Sequence, residues 1–348
     1  MKSFKEISWL VDEPTYRADK AYSYSTLSKF NREGFENLKT LFDSITTPSL
    51  TFGSMVDTML TDGMDAFNLR FEVASLPELS ENLVQVAKTL FDRYHETYHN
   101  LTDIPDMILA SVGKECNYYA GDKYASYRTK LIKENCANYY NVMFQSLGKE
   151  LVSQADYDKA CACVEALKTS PMTSWYFEAD SPFEDIERLY QLKFKGEYEG
   201  IPLRCMADLI AIDHKNKIVY PCDLKTSSHR EYDFPKSFIQ YRYVIQAQLY
   251  WYIIRQNMDK DPVFKDYKLA DYRFIVVNNK DNPLPLVWEF DQTRSEMDFI
   301  YGNKKQYSIP NWREIVRDLD YYLKENPLYP KGIVKLNSIT KYLNNESN

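Results

Sequence analysis

Long apolar runs are missing from this chain. No stretch approaches the roughly twenty consecutive apolar residues that a membrane-spanning helix needs. The opening MKSFKEISWLVDEP carries acids and lacks the apolar segment of a secretory signal, so a cytoplasmic protein with no membrane partner is expected. Cysteine is sparse and unpatterned. None of the six forms a C-x-x-C pair, and Cys161 and Cys163 diverge if they lie on a helix. All are expected to be reduced thiols, which excludes a disulfide scaffold. A basic surplus is also lacking. Lys and Arg total 43 against 50 Asp and Glu, a net charge of −7, which excludes a broadly basic nucleic-acid coat. A local basic groove remains compatible with that balance. There are no internal repeats and no low-complexity linkers.

What is present suits a globular protein. With 348 residues, 44% hydrophobic and 27% charged, the chain can bury a large core in one large or two modest domains. Residues 1–180 read as a helical N-terminal elaboration. Tyr22-Ser23-Tyr24-Ser25 leads into a capped helix start at Thr26–Phe30. TTPSLTFGSMVDTML begins a second helix, which carries Asp57. Leu83, Ala87, Leu90, Phe91, Tyr94 and Tyr98 recur at helical spacing. Asn117–Tyr140 is rich in Tyr, Lys and Asn, and its tyrosines are expected to serve packing. Ser153 caps a further helix with Tyr157, Ala160, Cys161, Val164 and Leu167 inward, and Pro171 ends it.

Strand patterns begin at Ile186. Ile186–Lys195 alternates, turns at Glu197–Gly200 and should pair with Leu203–Ile212 as a hairpin. In the second of these strands, Leu203, Cys205, Ala207, Leu209 and Ala211 fall on one face. Arg204, Met206, Asp208, Ile210 and Ile212 fall on the other. His214–Lys217 is a turn and Ile218–Lys225 a third strand. Lys236–Gln256 reads as one helix, with Arg242, Gln246 and Tyr250 on a stripe. Strands follow at Tyr272–Val277 and Leu286–Phe290, then a helix over Asn311–Leu323 and a disordered tail at Asn344–Asn348.

The chemistry gathers between Arg204 and Tyr250. Asp223 and Lys225, two apart on a strand, project from one face, and an antiparallel partner brings Asp208 beside them. Facing carboxylates repel unless a cation sits between them, and oxygen ligands suit Mg²⁺ or Mn²⁺.

Asp208, then Asp223-Leu224-Lys225, then Gln246-x-x-x-Tyr250 on a helix resembles the PD-(D/E)xK nuclease superfamily. It is most similar to the RecB-like branch and its phage exonuclease VIII (RecE-like) relatives. The likeness spans residues 50–60 and 186–290. It implies an α/β fold of restriction-endonuclease type, with a central mixed sheet flanked by helices. Residues 181–295 would be the nuclease core and 296–348 a C-terminal helix and tail, in one integrated domain. It implies that Asp208, Asp223 and the Leu224 carbonyl bind metal and that Lys225 orients or activates the attacking water. Gln246 and Tyr250 would border the site and contact DNA. Read from the residues themselves, Thr226 and Ser227 carry short hydroxyls that donate to DNA phosphate or simply close the strand, and Arg242, one turn before Gln246, is a further candidate DNA contact. The branch carries a helix with glycine followed four residues later by histidine. Here Gly53 is followed by Asp57, an acid that can still ligate a hard cation. Ala207 stands where the superfamily has proline. The iron–sulfur members carry cysteines beyond the Gln-x-x-x-Tyr helix, whereas all six here precede it, so no iron–sulfur cluster is expected.

The activity implied is Mg²⁺-dependent hydrolysis of DNA from an end, with Mn²⁺ substituting, in phage or prophage recombination. The partners implied are DNA, a second copy of the chain and a single-strand annealing protein. A catalytically silent DNA-binding protein on the same fold and a structure-specific endonuclease stay open as alternatives. Lys225, partly desolvated near a cation, is expected to have a lowered pKa, and either takes a proton from water or only positions that water electrostatically.

Overall fold

The structure, a computed structural model, describes residues 2–34, 38–43, 47–74, 79–146, 148–177, 185–280, 282–292, 297–301, 305–309 and 311–324. Two compact units divide the chain, one of residues 1–50 with 165–348 and one of residues 51–164. The tail expected at Asn344–Asn348 lies outside the described residues.

The first unit is a mixed α/β assembly on a six-stranded sheet. Its strands lie in the order β1 (Ile186–Tyr198), β2 (Ile201–Asp213), β3 (Ile218–Ser227), β4 (Tyr272–Asn278) and β5 (Leu286–Phe290). A two-residue strand, Lys268–Leu269, pairs with the start of β3. β1, β2 and β3 are antiparallel, β3 and β4 parallel, and β4 and β5 antiparallel. A parallel step needs a crossover, and the helices between β3 and β4 supply it.

Local chemistry sets the hairpins. Glu199 and Gly200 join β1 to β2 with φ of 53° and 77°, the left-handed pair a two-residue turn requires. Between β2 and β3 the Asp213 carboxylate accepts from the Asn216 N–H at 2.8 Å, closing an Asx turn.

Four helices matter to the site: α1 (Tyr24–Glu33), α2 (Phe234–Gln240), α3 (Tyr243–Asp259) and α4 (Trp312–Lys324). The single helix expected over Lys236–Gln256 is therefore two. Arg242 breaks it in a left-handed conformation, φ 61°. α3 lies on the sheet through Ile245, Leu249 and Ile253, all fully buried and each contributing roughly 1.5–3 kcal/mol. It comes so close at Gly196 that an added Cβ would stand 2.7 Å from Gln256 Oε1. On the opposite face the short helix Ser174–Phe177 places Trp175 against Tyr220, with ring centroids 5.6 Å apart. There Arg273 donates to the Tyr176 hydroxyl at 3.0 Å.

The first fifty residues, grouped on sequence with the helical elaboration, pack with the sheet. Phe4 meets Phe264 edge to face at 4.9 Å, and Leu27 and Phe30 of α1 enter the core beside α3.

The alternation expected along β2 is interrupted. Leu203, Cys205 and Ala207 share the α3-side core, but beyond them it is Ile210 and Ile212 that do. Leu209 and Ala211 are buried outside that core. The phase changes at Asp208.

The second unit is mainly helical. Helices Glu81–Tyr94, Asp106–Glu115 and Ala125–Gln145 close on Leu83, Val86, Leu90, Leu109, Val112, Ile132 and Tyr140. A parallel pair of short strands, Phe71–Ala74 and Glu150–Ser153, joins them. The tyrosines of this segment divide between packing and surface: Tyr139 and Tyr140 are buried, whereas Tyr119, Tyr124 and Tyr127 are exposed. All six cysteines are free thiols. Among the described residues no helix is long and apolar enough to cross a membrane.

Candidate active site

β2 and β3 pair from Asp213↔Ile218 to Leu209↔Cys222 and then separate. The register carried one step further sets Asp208 opposite Asp223. Beyond that point the vacated edge of β2 is taken by Tyr22, which donates to the Pro202 carbonyl at 3.0 Å and accepts from the Arg204 N–H at 2.9 Å. The fork between the strands thus brings the start of α1 alongside the carboxylates.

Asp208 is half-buried, and its Oδ2 accepts from the backbone N–H of Leu224 at 3.0 Å. The odd-numbered carbonyls of β3 face the parallel side: Val219 accepts from Ala270 and Ser227 from Asn279. Strand alternation then turns the Leu224 carbonyl toward β2, into the fork.

Asp223 is 1% exposed. It accepts a short hydrogen bond from Gln246 Nε2 on α3, and its Oδ2 lies 2.5 Å from Lys225 Nζ. The Lys225 ammonium also stands 4.6 Å from the centre of the Tyr243 ring. Burial alone would lower the lysine pKa, but the charge of Asp223, with Tyr243 and Asp208, outweighs it and holds Lys225 above its ordinary value. Without a cation the shift thus runs opposite to the lowering expected beside one, because the lysine has a carboxylate partner at contact distance.

Gln246 and Tyr250 lie on α3 as expected, yet both are buried, at 3% and 7% exposure. Gln246 serves Asp223, and Tyr250 packs edge to face on Tyr272 with centroids 6.1 Å apart. Burial raises the Tyr250 pKa well above the phenol range, and neighbouring Tyr16, Cys205, Asp223 and Asp208 add to it. Both side chains are turned to these partners rather than to the surface at which the expected DNA contact would need them. Ser227 Oγ accepts from the His229 N–H at 3.0 Å and so closes the strand end. Thr226 projects from the face opposite Asp223 and Lys225 by strand alternation.

Arg242 is not on the Gln246 stripe. It leaves the helix, donating to Asn31 Oδ1 at 3.1 Å and to the Ile239 carbonyl at 2.5 Å. Burial lowers its pKa, and the nearby Arg32 adds to the effect. Arg32, Tyr24 and Tyr243 escaped the reading of the sequence. Tyr24 donates to the Tyr241 carbonyl at 2.7 Å, and its ring lies 6.0 Å from that of Tyr243. Ser23 and Ser25 at the start of α1 bond to each other at 2.8 Å, the serine-rich entry being the one available signal. Arg32 acts on both Arg242 and Tyr243, so two guanidinium groups stand near the ring that Lys225 faces.

Asp57 belongs to the second unit, half-buried on the helix Pro48–Thr61. Among the described residues no three His, Cys, Asp or Glu side chains gather as a metal cage. The pair Asp208 and Asp223 with the Leu224 carbonyl nevertheless fits Mg²⁺, which commonly takes one or two carboxylates and completes its shell with water and substrate phosphate. Two buried acceptors here, Asp223 Oδ2 and Gln246 Oε1, receive no hydrogen bond of acceptable angle. For Asp223 Oδ2 the contact to Lys225 is thus an ion pair, and an all-oxygen donor set remains for a hard cation.

No family model and no curated protein matches the chain. Among solved structures, a protein from Eubacterium rectale provisionally named an exonuclease aligns over 94% of this chain and 89% of its own, at 14% identity and a TM-score of 0.44.

Proposed function

We propose that this chain is a divalent-metal-dependent deoxyribonuclease of the PD-(D/E)xK type that hydrolyses phosphodiester bonds from a DNA end. The observation that supports this reading is the pairing of Asp208 on the Leu224 N–H with the buried Asp223–Lys225 ion pair at the point where β2 and β3 part. A binding surface has no need of two carboxylates converging on one fork.

Asp208, Asp223 and the Leu224 carbonyl would hold Mg²⁺ or Mn²⁺, which when bound would polarise the phosphate and make water a competent nucleophile near neutral pH. Gln246 fixes the orientation of Asp223 through its amide. Lys225, ion-paired with Asp223 at 2.5 Å, presents an ammonium to the phosphoryl oxygens as negative charge develops on them and positions the attacking water electrostatically. Arg32 and Arg242 draw the DNA backbone toward the fork.

End-labelled linear duplex DNA incubated with Mg²⁺ or Mn²⁺, beside a covalently closed circle, tests the reading. Progressive shortening of the linear DNA with the circle intact is expected. Cleavage of the circle would replace the exonuclease by an endonuclease. Tight DNA binding with no hydrolysis in any divalent ion would establish the silent binding protein instead.

A further inference from the structure

The β1–β2 ladder pairs Tyr190 with Leu209 and Leu192 with Ala207, so Gln191 stands across from Asp208. Gln191 has φ of 52°, a left-handed conformation inside a 13-residue strand. That region is unfavourable for a side chain with a Cβ and has no place in a regular ladder. The phase of burial changes on both strands at this rung. On β1 the α3-side core takes Phe194 and Leu192, and beyond Gln191 it is Leu189 that packs against it. On β2 the same core takes Cys205 and Ala207, then Ile210 and Ile212. No residue is inserted, because the pairs on either side keep one register.

The consequence falls on Asp208. With unbroken alternation, the face that carries Leu203, Cys205 and Ala207 toward α3 would send Asp208 to the far side of the sheet. Asp223 faces α3, where Gln246 holds it. The two carboxylates can share a face only if β2 changes phase between Ala207 and Asp208. A local distortion that re-aims one side chain is a recurring use of irregular strand pairs.

We propose that Gln191, through its left-handed backbone, is the positioning residue that turns Asp208 toward Asp223. Its consequence for activity rests on the nuclease reading; its consequence for structure does not.

Two substitutions separate backbone from side chain. Glycine enters the left-handed region freely, whereas β-branched valine is strongly opposed to it. Thermal unfolding and calorimetric Mn²⁺ titration are measured for the wild type, Gln191→Gly and Gln191→Val. Gln191→Val is expected to unfold at a lower temperature and to bind Mn²⁺ about tenfold more weakly, the loss typical of removing support from a ligand. Gln191→Gly is expected to recover both. Recovery by Gln191→Gly, which removes the whole side chain yet keeps the left-handed backbone, is the outcome that lost side-chain packing would not produce. Glycine failing together with valine would transfer the role to the side chain and overturn the inference. Equal unfolding midpoints and equal Mn²⁺ affinity in all three proteins would overturn it too. If Gln191→Val does not fold, recovery by Gln191→Gly still decides between backbone and side chain. A wild type that takes up no Mn²⁺ would defeat the metal reading alone, leaving the order of unfolding temperatures as the test of Gln191.

Discussion

The backbone N–H of Leu224 donates to the Asp208 carboxylate across 3.0 Å, and that bond stands where the next rung of the β2–β3 ladder would have been. One side chain has replaced a strand partner. The N–H of Leu224 stays satisfied while the strands part, and the carboxylate is anchored at the mouth of the fork.

Asp208→Ala and Asp223→Ala are both expected to lower hydrolysis by orders of magnitude, because each removes a charged metal ligand. Their effects on stability should differ. Asp208→Ala loses a hydrogen bond to a half-buried carboxylate, about 1 kcal/mol. Asp223→Ala strands the Lys225 ammonium, and removal of one partner of a buried pair costs about 3 kcal/mol or more. Relief of repulsion between the carboxylates, a reasonable expectation from sequence, does not apply to an Asp223 already paired with lysine. Urea unfolding without metal checks the order; a more stable Asp223→Ala would contradict the ion pair.

Gln246→Ala should reduce the hydrolysis rate while leaving DNA affinity within about twofold, since Gln246 touches Asp223 and is buried. Tyr250→Phe should alter DNA affinity no more than that, its ring being packed on Tyr272. Fluorescence anisotropy on labelled DNA gives affinity, and single-turnover cleavage gives rate. A large affinity loss in either variant would return these residues to the DNA surface.

Arg32→Ala and Arg242→Ala should each weaken DNA binding and reduce the slope of log affinity against log salt by about one. Arg32 is exposed and acts on both Arg242 and Tyr243, the ring that Lys225 also faces. Affinity measured across a salt series reads the slope directly. An unchanged slope in both variants would remove this corner from the DNA path.

How far the sequence disclosed this arrangement depends on what kind of feature is asked for. The hairpin at Glu199–Gly200 and the turn after Asp213 were readable, because glycine and Asx chemistry act over a few residues. Both turns set the register that places Asp208 opposite Asp223, but the face they share depends on the phase change at Asp208, which a strand period of two does not give. The break at Arg242 was not readable, because arginine carries no preference for the left-handed conformation it adopts. Gln191 hid the phase change on β2 for the same reason: a backbone dihedral held by its surroundings leaves no mark in residue type. Tyr24 and Arg32 were remote because about two hundred residues of chain separate them from Lys225, and only the fork joins them.

Lys225 yields a prediction with a definite sign. Its pKa is raised in the folded protein, the burial that opposes this being outweighed by Asp223, Tyr243 and Asp208. A group raised on folding stabilises fully below its unfolded pKa, about 10.4 for lysine, and that contribution is lost only as pH rises through the higher folded value. The stability gap between the wild type and Lys225→Met should therefore stay constant from about pH 6 to about pH 9 and should not narrow toward the alkaline end. The rate is a separate test, because a cation held by Asp208 and Asp223 would offset the carboxylate charge that raises the Lys225 pKa. A lysine acting as base would give hydrolysis that climbs with the fraction deprotonated, whereas a permanently charged lysine gives no such limb. Lys225→Arg keeps the charge and should retain part of the rate, and Lys225→Met should lose orders of magnitude in rate with DNA affinity nearly intact, because the lost interaction belongs to the transition state. Measured in parallel, the pH–rate profile and the two variants decide the role. A rising limb that disappears in Lys225→Arg would establish general-base catalysis, and equal loss of affinity and rate in Lys225→Met would make the lysine a phosphate anchor.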